Sequence, residues 1–176
     1  SVYCIPVVCG IVVKESYMYN WLVFLHIFFA FLFMLTHGAH AAAMLKFRGE
    51  PDPERSLAFF SNVPDIKYVR YLTVAMGLFG FAPAFMTVWW RQWWVWLSAL
   101  VFLIVSWVMY QYGAGYYGMI SNAARRLIEA RKTNVDLPAA QKEFDEVRNA
   151  PNALIVSVVG IVGLALLLWL MRFKPF

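Results

Sequence analysis

All three histidines of this chain, His26, His37 and His40, lie in one apolar stretch. Neutral imidazole can ligate a metal, accept a hydrogen bond or donate one, so three on one segment are the first place to look for chemistry. In a helix at 100° per residue, the eleven-residue step from His26 to His37 returns to within about 20° of the start. His40 falls within about 40° on the other side, so the rings share one stripe, with His26 about 16 Å from the other pair along the axis. Polar side chains in such a segment turn away from lipid, toward protein or a cavity, and by default mark function.

Three readings of the stripe follow. In the plainest, His37 and His40 bond backbone or headgroups near an interface, and His26 satisfies its ring against a neighbouring helix. In the second, a histidine is the axial ligand of a haem or bacteriochlorophyll. Gly38, Ala39, Ala41, Ala42 and Ala43 leave room for a flat ring, and His26 and His40 have the fourteen-residue spacing of cytochrome b helices. A sixth ligand would then come from Met76, Met86, Met109, Met119 or another subunit. In the third, His37 and His40, at i and i+3, share a copper ion, for which methionine thioethers are suitable soft ligands.

Other motifs carry less. Gly113-Ala114-Gly115-Tyr116-Tyr117-Gly118 has the G-x-G-x-x-G pattern, but a dinucleotide site needs a strand before it and a βαβ unit around it. Its glycines suit close packing or a bend. Ser98 and Ser106 read as hydroxyls bonded to their own helix. Gly77, Gly80, Gly160 and Gly163 mark close helix contacts, and Pro83 a kink. Cys4 and Cys9 are the only cysteines. They could pair outside the cytoplasm, but two ligands do not complete a metal site.

The elements that position these residues follow from composition. The chain has 176 residues, 62% hydrophobic and 14% charged, with a mean hydropathy of +0.61. Soluble domains carry about 25% charged residues, so a water-soluble globule and a disordered chain are both excluded. The net charge of +5 is split among short segments between apolar runs, so no nucleic-acid partner is expected. A bilayer core of about 30 Å needs roughly 20 apolar helical residues. Four stretches qualify, at about 21–45, 71–90, 93–120 and 153–171. The predicted fold is all-α, a four-helix transmembrane bundle in the lipid bilayer, the second and third spans forming a tight hairpin at Arg91-Gln92.

Eleven of the 15 Lys and Arg residues lie in the two long connections, which places both loops in the cytoplasm and both termini outside. Trp21, Trp89, Trp90, Trp93, Trp94, Trp96 and Trp169 gather at the opposite end as an aromatic belt; Trp107 alone sits at depth. Asp52-Pro53-Glu54-Arg55 reads as an N-cap followed by proline at the first helical position. It starts a short surface helix through about Phe60, with Leu57, Phe59 and Phe60 inward. Residues 123–132 continue the third span as a basic helix. Leu137-Pro138 starts another short helix containing Phe144 and Val147. Residues 1–17, broken by Pro6 and Gly10, read as an atypical N-terminal extension to a four-span domain over 18–176.

From Met18 onward the chain resembles a family of uncharacterised bacterial four-span integral membrane proteins, distantly similar to copper-resistance D-like membrane domains. The resemblance is carried by Leu25-His26, His37-Gly38 with Ala41-Ala42, Phe47-Arg48, Asp52-Pro53-Glu54-Arg55, the Trp89-Trp90 corner, Tyr116-Tyr117 and the ending Leu170-Met171-Arg172-Phe173-Lys174-Pro175. It implies a fold and a bacterial inner-membrane address, with no established reaction. No span carries Asp or Glu, so no carboxylate relay for coupled transport is expected. The resulting expectation is a non-catalytic subunit of a respiratory or photosynthetic electron-transfer assembly, packed against other membrane subunits. The alternatives are a haem- or bacteriochlorophyll-binding protein using His26, His37 or His40, and a copper-handling protein using His37 and His40.

Overall fold

The computed structural model describes the backbone of residues 6–175 and the side chains of residues 17–175. The side chains of Cys4 and Cys9 lie outside the described residues. The chain folds into helices α1 (Pro6–Gly49), α2 (Pro53–Ser61), α3 (Ile66–Met86), α4 (Trp93–Met109), α5 (Gly115–Thr133), α6 (Leu137–Asn149) and α7 (Asn152–Phe173). A short 3₁₀ turn, Val88–Arg91, joins α3 to α4, and a π-helical segment, Tyr110–Ala114, joins α4 to α5 without a break. Four helical units are long and apolar enough to cross a membrane. The protein is a four-helix bundle of the multi-pass membrane class.

Local chemistry sets the ends. Asp52 caps α2 by accepting from the Glu54 N–H, with Pro53 in the first turn; Asp65 caps α3 by accepting from the Lys67 N–H at 2.9 Å. The second span stops as an α-helix at Met86, short of the expected 90. Thr87 turns to extended backbone (φ −120°, ψ 178°), and its hydroxyl donates back to the Pro83 carbonyl at 3.1 Å. At the other extreme α1 starts at Pro6 and runs through Gly10 and across position 17, so neither residue breaks it. Proline is tolerated in a first turn, and one internal glycine costs only about 1 kcal/mol.

The buried core lies at the end that carries the two long loops. Phe47, Tyr116, Ile120, Leu127 and Phe144 are almost wholly buried there, with Ala123, Ala124, Ala140 and Ala153 between them. The Phe47 ring meets Phe144 edge-on at 5.6 Å and Phe60 at 6.3 Å, which fixes α2 and α6 against α1. The Tyr116 hydroxyl donates to the Val147 carbonyl at 2.8 Å, and Arg48 donates to the Ala150 carbonyl at 2.9 Å. Thus the polar ends of α6 and its turn are satisfied inside the core rather than by water.

Through the apolar middle the packing changes. α1 pairs with α3, and α4 pairs with α7, with a lighter contact between α1 and α7. The corner between α3 and α4 is as tight as the sequence suggests, but the two helices do not pack along each other; each finds its principal partner elsewhere. Phe102 reaches across between them to the notch at Gly77. Lipid provides no hydrophobic drive to close such a gap, so small-residue contacts decide which helices pair.

At the corner end, Trp89 and Trp94 meet edge-on at 5.9 Å. The Lys174 ammonium, just past the end of α7, lies 3.9 Å from the Trp89 ring centroid. This cation–π contact ties the end of α7 to the corner. Trp107 faces outward from α4 and is 61% exposed.

Candidate functional site

The divergence of α3 and α4 leaves a partly open cavity of about 230 Å³ between them. α1 provides its floor through Phe33, His37 and His40. α3 provides one wall, including Thr73 and Met76; α4 the other, including Phe102, Ser106 and Met109; Gly160 of α7 closes the back. On α4 the lining residues Phe102, Val105, Ser106 and Met109 recur at i, i+3, i+4 and i+7, one helical face, which Tyr110 and Gly113 of the π-helical segment continue. The π-helical segment begins at Tyr110 and carries Gly113 and Ala114 into the lining. A π segment within a helix commonly coincides with a functional site.

The histidine stripe faces the bundle interior but divides between two neighbours. His26 is spent on α3. Its Nδ1–H donates to the Met76 carbonyl at 2.9 Å, and its ring fills the notch at Gly80, where a Cβ would sit 2.7 Å from His26 Cε1. It does not line the cavity. This matches the plain reading of His26 as a ring satisfied against a neighbouring helix.

His37 and His40 both reach the cavity. His37 stacks parallel on Phe33, with ring centroids 5.5 Å apart, and its Nε2 presses on Gly160 of α7. The Met109 methyl closes on the same glycine, 3.0 Å from where a Cβ would stand. His40 is only 3% exposed. Its Nδ1–H donates to the Thr36 carbonyl, one turn back, at 2.8 Å. A carbonyl can only accept, so the neutral ring carries its proton on Nδ1 and leaves Nε2 as a bare lone pair. That Nε2 is buried with no partner among the described residues. Arg148 Nε shares that condition, but its guanidinium already pairs with Asp145 at 2.9 Å. His40 Nε2 is therefore the acceptor in the apolar region that calls for something to meet it.

Metal chemistry is limited by the donor set. Among the described residues no three of His, Cys, Asp and Glu converge. The cavity does combine His37 and His40 with Met44, Met76 and Met109, a neutral set without carboxylates that suits a soft cuprous ion. A porphyrin fits less well. An engineered cavity of about 150 Å³ holds benzene, so 230 Å³ suits one substituted ring rather than a macrocycle, and the buried His40 Nε2 presents no open face.

Sequence reasoning placed His37 and His40 correctly on the interior face but missed the other polar residues of the cavity. Ser98 bonds its own helix as expected, donating to the Trp94 carbonyl at 2.7 Å. Ser106, given the same role, lines the cavity. Arg70 and Tyr110 frame its loop-side rim, the guanidinium 5.8 Å from the ring centroid. The i, i+4, i+8 spacing of Phe102, Ser106 and Tyr110 was the signal. The G-x-G-x-x-G segment is helical throughout. Gly113 packs near Val156 of α7, and a side chain at Gly115 or Gly118 would meet open space. No protein-family profile, curated protein or solved structure matches this chain.

Proposed function

We propose that this protein is a non-catalytic integral membrane subunit of a larger respiratory or photosynthetic electron-transfer assembly in a bacterial inner membrane. Its loop end, with most of the basic residues, faces the cytoplasm, and both termini lie on the other side. The observation that carries the reading is the open flank: α3 is held along its length by α1, while Val74, Leu78 and Phe85 stay exposed on it. A neighbouring transmembrane helix would complete that side. The spans also lack Asp and Glu, which suits a binding or scaffolding subunit better than one that moves protons. The test is a photo-crosslinking side chain at Leu78 in native membranes. An adduct with one protein of defined mass supports the assignment. Lipid adducts alone, with a lone monomer after mild-detergent purification, would defeat it.

A second reading, copper handling, is favoured by the thioethers that share the cavity with His37 and His40. Metal analysis after anaerobic loading with Cu(I) tests it: about one copper per chain, lost in the His37→Leu, His40→Leu double variant, is the supporting result. An absorption spectrum decides the macrocycle alternative by the presence or absence of a Soret or near-infrared band.

A further inference from the structure

We propose that the cavity between α3 and α4 is a phospholipid site: one acyl chain of an anionic phospholipid lies against its apolar lining while the Arg70 guanidinium holds the phosphate at the loop-side rim. This goes beyond the subunit assignment and does not depend on it. Leu78, the crosslinking position for that assignment, does not line the cavity, so the two tests succeed or fail separately.

The charge points to the headgroup. Arg70 lies about 24 Å from the Met86 end of α3 at 1.5 Å per residue, within the roughly 30 Å that a hydrocarbon core spans. A cation at that depth pairs with an anion or reaches for the headgroups. Arg70 joins no ion pair among the described residues. Its guanidinium instead leans toward the opposite wall, 5.8 Å from the Tyr110 ring centroid, and both residues line the cavity. Lys67, one turn back, already pairs with Asp65 at 3.7 Å, so one unpaired cation awaits one phosphate, which it can grip through two parallel N–H donors. A zwitterionic headgroup brings its own cation beside the phosphate; an anionic one does not.

The lining points to the tail. Phe33, Met76, Phe102, Val105, Leu164 and Leu167 present carbon and sulfur from four helices. The polar groups beside them are turned toward the protein. The Thr73 hydroxyl donates to the Val69 carbonyl at 2.8 Å, His40 Nδ1–H donates to the Thr36 carbonyl at 2.8 Å, and His40 Nε2 is buried beyond reach. An acyl chain asks for no hydrogen bond. About 230 Å³, against the roughly 150 Å³ that accommodates benzene, takes a segment of one chain. A transmembrane helix, about 10 Å across with its side chains, is too thick to enter. Free phosphate could meet Arg70 but would leave the apolar lining empty.

The experiment uses the full chain in phosphatidylcholine nanodiscs carrying a trace of phosphatidylglycerol or phosphatidylcholine with a photoreactive group on one acyl chain. Adducts are mapped by peptide mass spectrometry. At equal mole fraction the phosphatidylglycerol probe should label Phe102 and Leu164 about five-fold more than the phosphatidylcholine probe, the worth of one basic side chain facing an anionic lipid. At Phe31 and Ile161, which stand exposed, the two probes should label alike. Arg70 is itself exposed, so Arg70→Gln should leave the bundle intact and abolish the preference in the cavity. Absence of cavity adducts overturns the proposal, as does equal cavity labelling by the two probes in the unaltered protein or a preference that survives Arg70→Gln. Excess inorganic phosphate at constant ionic strength should leave the preference in place. Its loss would show that Arg70 takes a soluble anion, and the lipid assignment would fall.

Discussion

The loop end and the membrane-spanning middle of this protein are built from the same residue types and held together differently. At the loop end Phe47, Phe60, Phe144, Tyr116 and Leu127 interlock from four helices and exclude solvent. In the middle, residues just as apolar, such as Phe31, Leu78, Leu103 and Ile161, stand exposed on the surface. Water makes the difference. Burying apolar area gains about 25 cal/mol per Å² only where the alternative is aqueous; against acyl chains that gain vanishes and close backbone approach takes its place. The middle is accordingly pinned at glycines: His26 on Gly80, His37 and Met109 on Gly160, Val105 on Gly163 and Phe102 on Gly77. A region held at points can leave space between them, and the cavity occupies that space.

The contrast breaks down first if the loop end tolerates truncation. Phe144→Ala should destabilise the protein by about 3–5 kcal/mol, seen as an early loss of helicity on heating in detergent, whereas Phe31→Ala on the outer face of α1 should scarcely shift the transition. A medium effect is expected at the notches. Gly160→Ala drives a methyl into His37 and Met109 and should cost about 1–3 kcal/mol; Gly115→Ala, with nothing near, should be neutral or gain up to about 1 kcal/mol of helix propensity. Equal outcomes for the two glycines would remove the notch argument. His26→Leu should cost about 0.6–2 kcal/mol, the range of interhelical hydrogen bonds in membranes, and should loosen α3 selectively, detectable as faster hydrogen exchange on that helix. The smallest effect is expected for Arg126→Ala. It removes the ion pairs to Glu143 at 2.7 Å and Asp136 at 3.5 Å, all largely exposed, and should cost no more than about 1 kcal/mol, less in high salt.

What the sequence revealed follows the same division. Hydropathy located the four spanning units, because about 20 apolar residues are needed wherever they pack. Capping chemistry located α2 and α6 closely, since Asp52-Pro53 and Leu137-Pro138 act within one turn. The glycine pairs correctly marked close approaches. Which helix approaches which was not legible. A short corner brings α3 and α4 together at one end, yet the His26–Met76 hydrogen bond and the Gly80 notch draw α3 to α1, and Gly163 draws α4 to α7. Such partner choices depend on side chains far apart in the chain, and periodicity within one helix carries no trace of them. The cavity arises from those choices, so its histidines could be read in advance, its serine only as one member of a helical face, and its threonine not at all.

The π-helical segment Tyr110–Ala114 has a consequence for how rigidly this chain's length is specified. A wide turn accommodates one residue more than an α-helical turn and absorbs it without turning the helix beyond it. Deleting a single residue there would restore an unbroken α-helix and leave Tyr116, Ile120 and Leu127 of α5 facing almost as before. The same deletion from a regular α-helix rotates everything after it by about 100°. The surplus residue thus acts as slack, the one place where this continuous rod can lose a residue without turning its water-side face away from its lipid-side face.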